Sequence, residues 1–252
     1  QHVVWTGATA RFDGFYTYAG YIALFFIVSR YYKCKNWHVI AFGCVCLLGL
    51  VIAIPQYYGV NMLGLYPDGA DYFNTQFLSL LGNVNVVSAF SSMTAVYFGY
   101  MFIKEPDKKR WFYFAVSMAM FYMQTLAASD SGWVSIGAGI LFSLPFVLTD
   151  RRSVLNLGIL VGCFGLMGFI SYLVNPQATY AHTLDAYWLV IAAVGAVVAL
   201  LALLLGKRVK LKPRLAFLLS CILVVCVLLG GVAGIELLGA GRTEGQLYQA
   251  RE

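Results

Sequence analysis

Eight apolar runs of roughly membrane-spanning length recur along this chain, at residues 15–32, 38–57, 86–103, 111–128, 133–149, 154–173, 187–205 and 215–238, with short polar gaps between most of them. A hydrocarbon core about 30 Å thick takes around 20 residues of helix to cross. A spanning β-strand would alternate apolar and polar positions over about ten residues. These runs are instead apolar on every side and carry Ala, Leu and Met. Helix also satisfies its backbone groups within the segment, which lipid demands. The pattern therefore predicts an all-α fold, a polytopic transmembrane helix bundle of about eight spanning helices, with residues 1–252 forming a single transmembrane domain.

The gaps give that bundle a direction. Fourteen of the seventeen Lys and Arg residues fall after every second run: Arg30, Lys33 and Lys35; Lys104, Lys108, Lys109 and Arg110; Arg151 and Arg152; and Lys207, Arg208, Lys210, Lys212 and Arg214. Loops rich in Lys and Arg stay on the cytoplasmic side. Most acids lie on the other side: Asp13, Asp68, Asp71, Asp130, Asp185, Glu236, Glu244 and Glu252, against Glu105, Asp107 and Asp150 beside the bases. Fourteen bases against three acids leave one face at +11, and three bases against eight acids leave the other at −5. The net +6 is thus an average over two separate surfaces, and it does not point to nucleic acid. The 207–214 run KRVKLKPR reads as an inside anchor against anionic membrane lipids. With eight crossings, both ends of the chain are expected on the extracytoplasmic side of the cytoplasmic membrane.

Composition agrees, with 61% hydrophobic and only 11% charged residues against about 25% charged in a soluble domain. Trp5, Trp37, Trp111, Trp133 and Trp188 each fall at or near a run's end, where an indole favours the headgroup layer. The six cysteines lie in runs or on the basic side without CxxC or Cys/His metal spacing, so neither disulfides nor a structural metal is expected. The chain starts at Gln1 without Met or signal peptide and stops in a polar stretch, so a piece of a longer membrane protein is expected. No internal repeat is evident.

Three polar clusters stand on the acidic side. Arg11-Phe12-Asp13-Gly14 precedes the first run; a guanidinium can grip a diphosphate or carboxylate in a bidentate fork, or Arg11 can simply pair with Asp13. Gly82-Asn83-Val84-Asn85 opens the third run. Either Asn83 or Asn85 can cap that helix, and carboxamides beside a helix N-terminus also suit a phosphate or sugar hydroxyls. Ser129-Asp130-Ser131-Gly132 joins the fourth and fifth runs tightly. It reads as a helix cap, with Asp130 also placed as a carboxylate at the bundle mouth. His182 is a loop histidine that could pair with Asp185. No P-loop, GxGxxG, HExxH or Ser/His/Asp order occurs.

The order of these clusters resembles the bacterial O-antigen ligase and polymerase family of polytopic glycosyltransferases. RFDGFYTYAGYIALFF at 11–26 is similar to the family's Arg-x-x-Gly before a Tyr- and Phe-rich helix. LLGNVNVVSAFSSM at 80–93 is similar to its Gly-Asn-x-Asn turn, and LAASDSGWVSIGAGI at 126–140 stands in the place of its Thr-x-Ser-Arg-Gly stretch, with Ser131 where an Arg is often found. Gly241-Arg242 resembles the approach to a later Gly-Arg region that precedes a catalytic His, and His182 is not in that position. The resemblance implies a GT-C-like bundle that transfers or polymerises a glycan from a polyprenyl diphosphate donor at the outer membrane face. It further implies no nucleotide sugar, no cofactor and no obligatory metal, with Arg11, Asn83, Asn85, Asp130 and Arg242 as substrate-binding residues and the catalytic residue unassigned. Two other classes stay open: a secondary transporter or lipid flippase, which would need ionisable groups or broken helices near the midplane, and a non-enzymatic membrane scaffold.

Overall fold

The computed structural model describes residues 15–33, 35–58, 60, 64, 79–81, 83–127, 129–174, 185–204, 215, 217, 218, 221 and 222. Among them there are seven α-helices and no strand: α1 Phe15–Tyr31, α2 Asn36–Tyr57, α3 Val84–Lys104, α4 Arg110–Ala127, α5 Asp130–Val147, α6 Arg151–Val174 and α7 Asp185–Leu204. These match the first seven apolar runs. Of the eighth, only Leu215, Phe217, Leu218, Cys221 and Ile222 are described, and they are helical. The helices begin two to three residues before several of the apolar runs, because capping residues carry the first turn into polar sequence.

Five helices are long and apolar enough to cross a membrane: α2, α3, α5, α6 and the Tyr187–Leu204 part of α7. The chain is an α-helical, multi-pass membrane protein. α1, with 17 residues, is at the lower limit of a spanning helix. α4 is excluded for a different reason: it opens on Arg110, includes Trp111, Tyr113 and Tyr122, and carries Ser117, Gln124 and Thr125, these last three buried. Its polar groups face protein rather than lipid, so lipid-scale apolarity is not required of it.

The chain divides into two compact units, Gln1–Phe42 and Gly43–Glu252, with the division inside α2. In the first, His38 fixes the start of α2. Its Nδ1 accepts the Lys35 N–H at 2.9 Å while its own N–H donates to the Lys35 carbonyl at 2.9 Å, and the Tyr32 and Trp37 rings flank the imidazole.

In the second unit, α4 lies against α3 and α6, and α5 packs on α3. The closest pairing is α6 with α7. A Cβ on Gly158, Gly165 or Gly195 would run into the backbone of the facing helix, the small-residue seam that brings membrane helices together. Hydroxyls and amides bind the other helices. Ser117 Oγ donates to the Ala95 carbonyl at 2.7 Å, Ser171 Oγ to Thr125 Oγ1 at 2.7 Å, and Asn156 Nδ2 to the Ile103 carbonyl at 3.2 Å. Such interhelical bonds contribute about 0.6 kcal/mol each, up to roughly 1.7.

At one end of this unit the basic residues cap their neighbours. Arg151 donates to the Ala202 and Leu203 carbonyls that end α7. Arg152 donates to the Glu105 and Pro106 carbonyls just past α3, and Lys104 Nζ to the Phe146 carbonyl near the end of α5. Cations suit the negative end of a helix dipole, so these bases hold the bundle together at the end where they cluster. Asp150 caps α6, its Oδ1 accepting the Ser153 N–H at 2.8 Å, with Lys104 beside it at 3.4 Å. Burial raises its pKa, but the two Ser153 hydrogen bonds and Lys104 outweigh that and hold the carboxyl below its ordinary value.

Candidate functional site

The opposite end of the second unit carries the Asn and Ser clusters. The chain approaches through a 3-10 turn, Ser79–Leu81, whose first residue is buried and holds a left-handed backbone, φ 50°. Such a conformation costs a non-glycine residue about 1–3 kcal/mol. Asn83 then caps α3, its Oδ1 accepting the Asn85 N–H at 2.8 Å. The carboxamide of Asn85 turns the other way, and its Oδ1 accepts the Ser129 hydroxyl at 3.2 Å. One Asn therefore closes the helix, and the other reaches across to the next cluster.

Ser129 occupies the N-cap position of α5, yet its side chain makes no cap hydrogen bond. The capping expectation is met by position only. The hydroxyl is committed to Asn85 and to Ser131 Oγ, 3.0 Å away, and the Ser129 carbonyl accepts the Gly132 N–H at 3.1 Å. Asp130, in the first turn of α5, is exposed at the rim of this network. The structure thus brings Asn83, Asn85 and Asp130 to one end of α3 and α5. Arg11, Arg242, Gly82 and His182 lie outside the described residues.

Beneath the rim sits a group that sequence reasoning did not single out. Gln124, on α4, is fully buried. Its Oε1 accepts the Ser91 hydroxyl at 3.1 Å and its Nε2 donates to the Ser129 carbonyl at 3.0 Å. Gly132 makes room for it: a Cβ there would collide with the Gln124 amide and with Ser88 Oγ. Ser88 Oγ is buried without a hydrogen-bond partner. The available signal was the spacing of Ser117 and Gln124, seven residues apart and hence on one face of an otherwise apolar helix.

A half-open cavity of about 340 Å³ lies between α5 and α7, lined by Trp133, Gly137 and Ile140 on one side and Tyr187, Trp188 and Ile191 on the other. Phe121 of α4 and Phe164 of α6 form its floor, stacked at 4.2 Å and 7°. The volume is in the range of ligand clefts, about 300–1,000 Å³. Trp133 follows Asp130 by three residues, so both lie on one face of α5, and the cavity begins one turn below the polar rim. From Trp133 to Ile140 it runs about 10 Å along the helix at 1.5 Å per residue. Trp188 lies in the first turn of α7, near the helix end as the sequence predicts. Its indole is buried over Gly168 and packs edge-on against Phe121 and Trp133, because a glycine notch offers the ring a protein contact in place of lipid.

Among the described residues no Asp, Glu, Lys or Arg is buried, and no group of three His, Cys, Asp or Glu is placed to hold a metal ion. No family model, curated protein or solved structure matches the chain.

Proposed function

We propose that this chain is the membrane part of a glycosyltransferase of the O-antigen ligase or polymerase kind, with about eight spanning helices in a GT-C-like bundle. It transfers or polymerises a polyprenyl-diphosphate-linked glycan at the outer face of the cytoplasmic membrane. The observation that carries this reading is the junction on α5. A hydrogen-bonded rim of Asn85, Ser129 and Ser131, with the exposed Asp130 beside it, stands one helical turn above an apolar cleft, and the rim lies at the end of the unit away from the bases. A lipid-linked glycan has the same two parts in the same order.

In this reading the prenyl chain lies in the cleft between α5 and α7. The exposed Asn85 carboxamide and the Asp130 carboxylate bond sugar hydroxyls, while Asn83 shapes the turn that presents them. Transfer breaks the bond from the anomeric carbon to the diphosphate oxygen and forms a glycosidic bond to an acceptor hydroxyl, whose proton leaves to solvent or to a base not among these residues, while polyprenyl diphosphate departs. The charge that develops is on the leaving diphosphate. Arg11, with Arg242 as a second cation, is assigned to neutralise it, because donors aimed at developing charge are the strongest single contribution to catalysis.

The test uses the full-length protein in proteoliposomes with a polyprenyl-diphosphate-linked glycan and an acceptor glycan or glycolipid. Release of polyprenyl diphosphate matched by glycan transfer is the expected result. Movement of the donor between leaflets without release would replace this reading with a flippase, and neither event would leave a scaffold.

A further inference from the structure

We infer that Gln124 is the positioning residue of the polar rim, setting the register of α5 against α3. The assignment of the rim to a glycan substrate rests on the reading above; the geometry of Gln124 does not. Its side chain is fully buried and joins three elements at once. It projects from α4, accepts from Ser91 on α3 at 3.1 Å, and donates to the carbonyl of Ser129, the residue from which α5 starts, at 3.0 Å. The rim groups sit on the two elements it joins, Asn85 on α3 and Ser129 with Ser131 at the head of α5.

Two features distinguish this from generic polar adhesion between helices. The amide is gripped on a second side, since Gly132 alone leaves the space that the amide and the unpartnered Ser88 hydroxyl fill. The carbonyl it holds belongs to the same residue whose hydroxyl meets Asn85, so a shift of the amide moves the rim directly. The other interhelical bonds, such as Ser117 to Ala95 and Asn156 to Ile103, reach no rim residue. Their loss would loosen the bundle without altering the spacing of Asn85 and Ser129.

The test is made in the full chain with its native cysteines replaced. Asn85→Cys and Ser129→Cys are introduced together, and the yield of their oxidative cross-link reports the register. Gln124→Met keeps the volume and loses both bonds. Gln124→Leu also loses both bonds, since its side chain has no polar atom, whereas a buried Glu would be protonated and could still donate to the Ser129 carbonyl. The Met and Leu variants are both expected to lower the yield about fivefold, the size of one net hydrogen bond, while Asn156→Leu leaves it unchanged. If Gln124→Met fails to fold, Gly132→Ala, which displaces the same amide from the other side, is expected to give the same loss. An unchanged yield in Gln124→Leu and Gly132→Ala overturns the proposal. On the single Gln124→Met variant with Asn85 and Ser129 intact, transfer is expected to fall about 10- to 100-fold in kcat through misplacement of the rim, with the KM for donor little altered. Loss of the cross-link with full transfer activity would keep the positioning role and remove the rim from the glycan site.

Discussion

Replacing Arg11 with Lys in the full-length protein is expected to depress glycan transfer about 100- to 1,000-fold, the usual effect of losing one donor aimed at developing charge. The charge pattern of the sequence predicts Arg11 to be one of only three bases on an otherwise acidic side, which would be an unfavourable place for a cation without a function or a partner. A guanidinium presents parallel N–H donors to two phosphate oxygens, and an ammonium is a point charge that cannot reproduce that fork. Arg11→Ala should be at least as impaired, with protein level and membrane insertion unchanged. A helix-end Arg paired only with Asp13 would behave differently, because exposed ion pairs contribute about 0–1 kcal/mol. Transfer from a polyprenyl diphosphate donor in membranes separates the two. Full activity in Arg11→Lys removes the bidentate role, and full activity in Arg11→Ala removes Arg11 from the mechanism.

The second large effect is structural. Gly195→Leu is expected to separate α6 from α7 and cost about 3 kcal/mol or more, at or beyond the upper end of the usual overpacking penalty. Here the atoms in the way are backbone. A Cβ on Gly195 meets the Gly162 amide nitrogen and Cα and the Gly158 carbonyl, so no rotamer change can relieve the clash. The cleft should fail with the seam, because Trp188 is seated on Gly168 by that same packing. The measurement is the thermal midpoint in detergent together with protease sensitivity. Gly137→Leu is the control, since nothing lies within 4 Å of a Cβ at Gly137.

Much of the fold was legible because apolar length carries it. The seven described helices coincide with seven of the runs, and Asn83 at the start of α3 was recognisable as a cap from its type and position. The rest depends on which neighbour a side chain meets. The run that became α4 looks like another lipid-facing span, but its Tyr113, Ser117 and Gln124 are enclosed by protein. Ser129 has the right identity and position for a cap and still spends its hydroxyl on Asn85. Counting Lys and Arg predicted a side of the membrane, and could not reveal that Arg151 and Arg152 tie down the ends of α7 and α3. Asn83, Asn85 and Asp130 were legible as polar residues in apolar surroundings. Gln124 was not: its seven-residue spacing from Ser117 marks a polar face on the helix, but its partners Ser91 and Ser129 come from other elements that the spacing does not name.

All of this requires the polar rim to face out and the bases to face in. The direct measurement is impermeant thiol labelling of single cysteines in a background without native cysteine, Ser131→Cys on the rim and Lys109→Cys among the bases, in intact and in permeabilised cells. The account predicts that Ser131→Cys labels in intact cells and Lys109→Cys only after permeabilisation, as loops rich in Lys and Arg are retained inside. Labelling of both from the same side, or the reverse pattern, would contradict it.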